Sequence, residues 1–203
     1  MKITKDTTLI ILDWDDTLFP TSWFLKKNID DSELDRYIIY FREIDNMLYK
    51  LLKLLMKYGK VIIISNALPE WINKSSKILY KSGQLIKNIK IISARKDYQN
   101  ISLNIMDWKI FAFNSEFLDI TKKNKINNII SIGDAEYEYK ALINLYNNKK
   151  NNNKIFKSIR FMNNPSHDYL IDQLNVLYIS IPQICTKTKH MDMKFKHFSN
   201  TLF

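Results

Sequence analysis

The sequence predicts an α/β fold, in which strands buried on both faces alternate with amphipathic helices. Short unbroken aliphatic runs recur, such as Leu9-Ile10-Ile11-Leu12 and Val61-Ile62-Ile63-Ile64. Strands covered on both faces read this way, whereas half-exposed strands alternate apolar with polar residues. The segments between the runs carry apolar residues at helical spacing, which gives each one a face for the sheet. A third observation places chemistry on this frame. The first run ends abruptly in acids, Asp13-Trp14-Asp15-Asp16. Ligands of open α/β sheets bind at the carboxyl ends of strands, so a site is expected there.

The elements follow in order. The first strand is expected over Thr8 to Asp13, and Phe19-Pro20 breaks the chain after it. Trp23 and Phe24 come next, near the site, with ordinary packing as their default role. Asp30-Asp31-Ser32-Glu33 combines capping side chains with first-turn acids, so a helix is expected from Ser32 to Tyr58. Its core stripe is Leu34, Tyr37, Ile38, Phe41, Ile44, Leu48, Leu51, Leu52 and Leu55, and Gly59 stops it. Val61 to Ile64 forms the second strand, followed by Ser65-Asn66-Ala67 and a helix from Pro69 to Lys81 with a break at Gly83. A strand that ends just before a helix N-terminus leaves backbone N–H groups free for an anion. Ile89 to Ser93 is the third strand, and Ala94 to Ile105 is a polar connection. Asp107-Trp108-Lys109 opens a helix carrying Ile110, Phe113, Phe117, Leu118 and Ile120. Asn128 to Ile132 is the fourth strand, then Gly133-Asp134 and a helix to Tyr146. Asn147 to Lys154 reads as a surface loop. Ile155 to Met162 is the fifth strand, Pro165-Ser166 starts a last helix through Leu174, and Val176 to Ile181 is expected as a sixth, edge strand. The domain is read as residues 1–185. Thr186 to Phe203 is a basic tail, either docked or weakly ordered.

Composition bounds the function. At 203 residues the chain suits one domain with a real core. A hydrophobic content of 46% excludes an intrinsically disordered chain, and few Gly and Pro argue against long linkers. The single cysteine, Cys185, excludes an internal disulfide and lacks the neighbours of a zinc site, as do His190 and His197 of the tail. A reducing, cytoplasmic setting is the expectation. No apolar run approaches membrane-spanning length, and since Met1-Lys2-Ile3-Thr4-Lys5-Asp6 leads straight into the first strand, no signal peptide is expected. The net charge of +10 invites a nucleic-acid reading. The charge is mostly scattered Lys, in a chain rich in Lys, Asn, Ile, Tyr and Phe, the residues of AT-rich codons. Composition is therefore the favoured source, and an anionic substrate suits either source.

Asp13 and Asp15 lie two apart, with Thr17 two further on. Carboxylates this close repel, which favours protonating one of them unless a cation removes the conflict. Oxygen-only ligands suit Mg²⁺, which keeps several waters and bridges to phosphate.

Asp-x-Asp-x-Thr after an apolar strand resembles motif one of the haloacid dehalogenase-like (HAD) phosphatases. Three further places resemble the family's other motifs, in order: Ser65 after the second strand, Lys109 at a helix start, and Gly133-Asp134 with an acid after the fourth strand. The resemblance covers about Leu9 to Glu138. It implies a three-layer α/β sandwich with a central, mostly parallel, Rossmann-like sheet and the first strand at its centre. It implies a Mg²⁺-dependent phosphomonoester phosphatase working through an aspartyl-phosphate. Asp13 would be the nucleophile, and Asp15 the acid and then the base. Ser65, Asn66 and Lys109 would bind phosphate. Asp13, Asp15 (through its backbone carbonyl) and Asp134 would hold the metal, with Thr17, Gly133 and Glu138 in support. Lys96 and Lys122 compete with Lys109, which is preferred for its place at the helix opening. Glu136 competes with Glu138 as the second acid of the last motif. Asp15 favours phosphoryl transfer, because the family's dehalogenases lack that second Asp.

Family members often carry a cap domain, but neither Phe19 to Asp31 nor Ala94 to Ile105 has room for one. The resemblance is thus to the capless type, whose open site suits a bulky or macromolecular phosphorylated substrate, protein or nucleic acid. Two rivals stay open. A polynucleotide-end phosphatase would need Arg and aromatics at the crevice, for which Trp23, Trp71 and Arg95 are the candidates. A non-enzymatic binding protein on the same scaffold would not need Asp13, Asp15, Ser65, Lys109 and Asp134 all intact. The sequence leaves the oligomeric state open.

Overall fold

Alternate residues of the central strand serve two different cores. Along β1 (Thr8–Leu12), Ile10 and Leu12 point into one hydrophobic cluster, while Leu9 and Ile11 point into another. This is the period-two alternation of a strand covered on both sides. The computed structural model describes residues 2–196. The other strands are β2 (Lys60–Ser65), β3 (Lys90–Ser93), β4 (Asn128–Gly133), β5 (Ile155–Arg160) and β6 (Met191–Lys194). They form one parallel sheet in the order β3-β2-β1-β4-β5-β6.

Helices cover both faces. The layer under Ile10 and Leu12 contains α2 (Ile38–Tyr58), α3 (Pro69–Ile78), α4 (Tyr80–Ile86) and α8 (His167–Thr186). The layer under Leu9 and Ile11 contains α6 (Ile105–Lys123) and α7 (Glu136–Asn147). The architecture is the expected three-layer α/β sandwich. Two short helices, α1 (Thr21–Lys26) and α5 (Ala94–Tyr98), follow β1 and β3. They are the regular structure in the two gaps, and neither gap holds a cap domain. The chain winds outward from β1 to β3, then crosses back to β4 and winds the other way. The reversal lies between β1 and β4, where the connecting loops diverge and leave a crevice.

Four expectations need correction. The helix expected from Ser32 begins at Ile38, because Asp30 accepts the Ser32 N–H and hydroxyl in a local turn and a 3₁₀ turn at Leu34–Tyr37 follows. The helix after β2 breaks at the buried Leu79, and Gly83 lies inside α4. A Cβ at Gly83 would sit 2.6 Å from the Ser76 carbonyl oxygen, so glycine lets the two short helices pack closely. Asp45 of α2 accepts the N–H groups of Lys81 and Ser82, which caps α4 and fixes the break. The connection after β3 includes α5, whose start is capped by Ser93 accepting from the Lys96 N–H. Lastly, Val176 to Ile181 belongs to α8, not to a strand. Leu170, Leu174, Leu177, Ile181 and Ile184 are all buried at steps of three and four, a helical stripe that the β-branched residues disguised. The sixth strand comes from the tail instead. Lys157 to Arg160 pair in register with Met191 to Lys194. His190 is held there too, its Nδ1 accepting the Phe156 N–H at 3.2 Å. His197 lies outside the described residues.

Candidate active site

The alternation along β1 decides where its acids go. Asp13 continues the Leu9, Ile11 series and so faces the α6 and α7 layer, while Trp14 goes to the opposite core. The Trp14 indole N–H donates to Ser75 of α3 at 2.9 Å, which anchors the strand end. Asp13 is buried, and its N–H donates to the Ile132 carbonyl of β4 at 2.9 Å, at the reversal point of the sheet.

Lys109 meets Asp13 from α6. Asn104 caps that helix by accepting the Met106 N–H, which starts it at Ile105 and sets Lys109 one turn in. Lys109 is only 1% exposed, and its Nζ donates to Asp13 Oδ1 at 2.6 Å and to Glu138 Oε1 at 2.5 Å. Burial alone would lower the lysine's pKa, but the charges of Asp13 and Glu138 overcome it and raise the pKa above its ordinary value. Glu138 is placed by the turn into α7, where its Oε2 accepts the Ala135 N–H at 3.1 Å. Gly133 makes that possible: a Cβ there would lie 2.4 Å from Glu138 Cγ. Glu136 points elsewhere, pairing with Arg160 at 3.6 Å. Glu138 is therefore the acid that faces the site. Lys96 and Lys122 are not in this cluster, and Lys122 pairs with Asp119.

Asp134 leaves the end of β4 beside Asp13, and its Oδ1 accepts from the Thr17 hydroxyl at 3.4 Å. Carboxylate oxygens of Asp13, Asp134 and Glu138 lie within 4.8 Å of one another. Burial, then the charges of Asp13 and Glu138, push the Asp134 carboxyl up to about 9. Burial also raises Glu138, against the pull of Lys109. Three acids crowded around one lysine leave negative charge uncompensated, and these oxygens could hold a metal ion.

Asp15 is elsewhere. Its carboxylate is absent from that trio. Its Oδ1 accepts from the Thr21 hydroxyl at 2.5 Å and from the Trp71 indole N–H at 2.8 Å. Burial raises its pKa, the Thr21 bond opposes this, and the charge of Asp13 adds to the rise. Asp16, which the sequence reading gave no role, shapes the loop. It sits in the left-handed region at φ 54°, buried, and its carboxylate accepts the Ser22 N–H at 2.8 Å and the Ser22 hydroxyl. A third acid directly after Asp15 was the available signal. Left-handed backbone at a non-glycine residue is tolerated where a short polar side chain bonds locally. The turn it makes leaves the N–H groups of Trp14 and Asp15 without an acceptor among the described residues.

Ser65 ends β2, where its hydroxyl accepts the Ala67 N–H at 3.0 Å. Next to it, both polar atoms of the Asn66 side chain are buried without a hydrogen-bond partner among the described residues. Buried amides are nearly always paired, so this orphaned pair marks a place for a polar ligand. Of the candidate crevice residues, Trp71 packs edge-on to Phe19 and Phe24 while holding Asp15, and Arg95 is exposed on α5. Trp23 packs among Tyr37, Tyr40, Phe41 and His167. Among the described residues, no helix is long and apolar enough to cross a membrane.

No protein-family model matches the chain, and neither a curated protein nor a solved structure matches it.

Proposed function

We propose that this protein is a capless phosphatase of the HAD type, hydrolysing phosphomonoesters through a phosphorylated Asp13 with Mg²⁺ bound. One observation carries the reading. Asp13, Lys109, Asp134 and Glu138, from three separate places in the chain, converge at the reversal point of a parallel sheet. A structural ion pair would need one acid for Lys109, and this cluster holds three. The donor set fits Mg²⁺, because hard carboxylate oxygens are grouped with too little positive charge. Asp13, Asp134 and the Asp15 backbone carbonyl would hold it, with Glu138 behind them. When bound there, the ion neutralises charge on the phosphoryl oxygens.

The chain's own residues supply the rest. Asp13 Oδ1 is held by Lys109, which leaves Oδ2 to attack phosphorus. The bond from phosphorus to the leaving oxygen breaks as the bond to Asp13 forms. Asp15, whose raised pKa keeps a proton within reach, gives that proton to the leaving oxygen. Both bonds from Thr21 and Trp71 end on Oδ1, so Oδ2 is the atom that carries the proton. Asp15 then takes a proton from the water that hydrolyses the acyl phosphate. Lys109, the N–H groups of Trp14 and Asp15, and the Ser65-Asn66 turn stabilise the transferring group.

The test is turnover of p-nitrophenyl phosphate by chelator-stripped protein. We expect no activity until Mg²⁺ is returned, and poor substitution by Ca²⁺, whose looser coordination disturbs in-line geometry. Asp13→Asn should lower turnover by about 10⁴–10⁶-fold, the scale seen when a nucleophile is removed. Full activity in the stripped protein, or in Asp13→Asn, would refute the reading.

A further inference from the structure

A groove of about 740 Å³ runs between α1 and the loop that follows β5, and Ser22 in its lining bonds to Asp16 of the loop after β1. Ser22 joins the two: its hydroxyl donates to Asp16 and lies 2.9 Å from the Asn164 side-chain amide. Trp23 and Tyr169 supply rings, Lys26 and Lys27 supply charge, and Asn163 and Asn164 supply exposed amides. No acidic residue lines the groove, and no carboxylate pairs with either lysine among the described residues. The Trp23 ring is held by Tyr37, Tyr40, Phe41 and His167, at centroid distances of 5.7, 5.6, 5.9 and 5.4 Å.

Resting on the phosphatase reading, we propose that this groove binds the terminal nucleotides of a phosphorylated single-stranded nucleic acid and delivers the end phosphate to Asp13. Rings for stacking bases, ammonium groups for the flanking phosphates and amides for base edges are the combination that single strands require. A phosphopeptide fits less well. Its own N–H and C=O groups need pairing, and the open sheet edges, β3 and β6, do not line the groove.

The test compares 3′- and 5′-phosphorylated ten-nucleotide single strands with a phosphopeptide and p-nitrophenyl phosphate. Wild type and the Lys26→Ala/Lys27→Ala variant are assayed at 50 and 200 mM salt, and strand binding is followed by fluorescence anisotropy. Two phosphate contacts to a single strand predict that wild-type kcat/KM for one of the strands falls about sevenfold between those salt concentrations. The variant should lose this salt dependence and bind the strand more weakly, with aryl phosphate turnover unchanged. A phosphopeptide turned over as well as either strand, a flat salt profile, or unchanged strand binding in the variant would overturn the groove assignment. Salt-dependent strand binding without any phosphatase activity would uphold the groove and overturn the phosphatase reading alone.

Discussion

Lys109 and Lys157 are both buried to within 1% of full coverage, yet their surroundings push them in opposite directions. Lys109 lies against two carboxylates and is driven further into its charged form. Lys157, on β5, donates to the carbonyls of Ile184 at 2.7 Å and Cys185 at 3.4 Å, at the C-terminal end of α8. That end of a helix carries partial negative charge and favours a cation. Burial still wins, and the Lys157 pKa falls to about 8. Partial charges do not replace the water a buried ammonium has lost, whereas full charges do. Lys157 therefore works as a set of donors closing a helix end, which is a structural task. Lys109 works as a fixed positive charge, which is what a site for an anion needs.

Removing each lysine tests the difference. Lys109→Met should leave Asp13, Asp134 and Glu138 facing one another without a counter-charge. Stripping one partner from a buried pair costs about 3–5 kcal/mol, so the metal-free variant should lose that much in urea unfolding. Phosphatase turnover should fall by about 10²–10³-fold, as when one charge-stabilising donor is removed. A variant as stable as the wild type would mean that Lys109 is as replaceable as a structural lysine.

Lys157→Met should act through pH. The folded pKa of Lys157, about 8, lies below its ordinary value of 10.5, so between these values the unfolded chain binds more protons. Stability from this group therefore rises with pH across that window and is lowest below it. The wild type should gain about 2–3 kcal/mol over Lys157→Met between pH 8 and 10.5. If the two unfolding curves keep a constant separation over that range, the carbonyls hold Lys157 charged and the contrast with Lys109 fails.

The contrast also explains what the sequence could reveal. The runs Leu9 to Leu12 and Val61 to Ile64 named buried strands, because burial on both faces leaves no polar position. Asp13, Lys109 and Asp134 were legible because strand ends and helix starts in a parallel sheet have fixed positions relative to the crevice. The choice between Glu136 and Glu138 was not legible, since both are in the first turn of α7 and only the close approach at Gly133 separates them. Nor was the end of α8. Val176, Ile179 and Ile181 favour strands locally, and the helical stripe down to Ile184 becomes decisive only against the core it packs on. Lys157 gave no signal, because a lysine in a strand of a Lys-rich chain reads as solvated.

Asp15 is a third case and the finest test, because it is a half-buried acid held by neutral donors, as Lys157 is held by neutral acceptors. Thr21 and Trp71 both bond to its Oδ1, yet burial still lifts its pKa. A dipole-held group drifts towards its neutral form, which is wasteful for an anchor and useful for an acid. Trp71→Phe keeps a ring to pack on Phe19 and Phe24 but removes the indole N–H. Asp15 would lose one of the two bonds that orient it, and with that bond one of the contacts that lower its pKa. One neutral hydrogen bond is worth about 1 kcal/mol, or about fivefold in rate. That loss should appear in kcat for an alkyl phosphate, whose leaving oxygen needs a well-aimed proton. It should be nearly absent for p-nitrophenyl phosphate, whose leaving group departs without help. KM should stay the same for both, since Trp71 makes no proposed contact with phosphate. An equal loss on both substrates would mean that Trp71 supports only the fold around Phe19. No loss on either would mean that Thr21 alone aims Asp15.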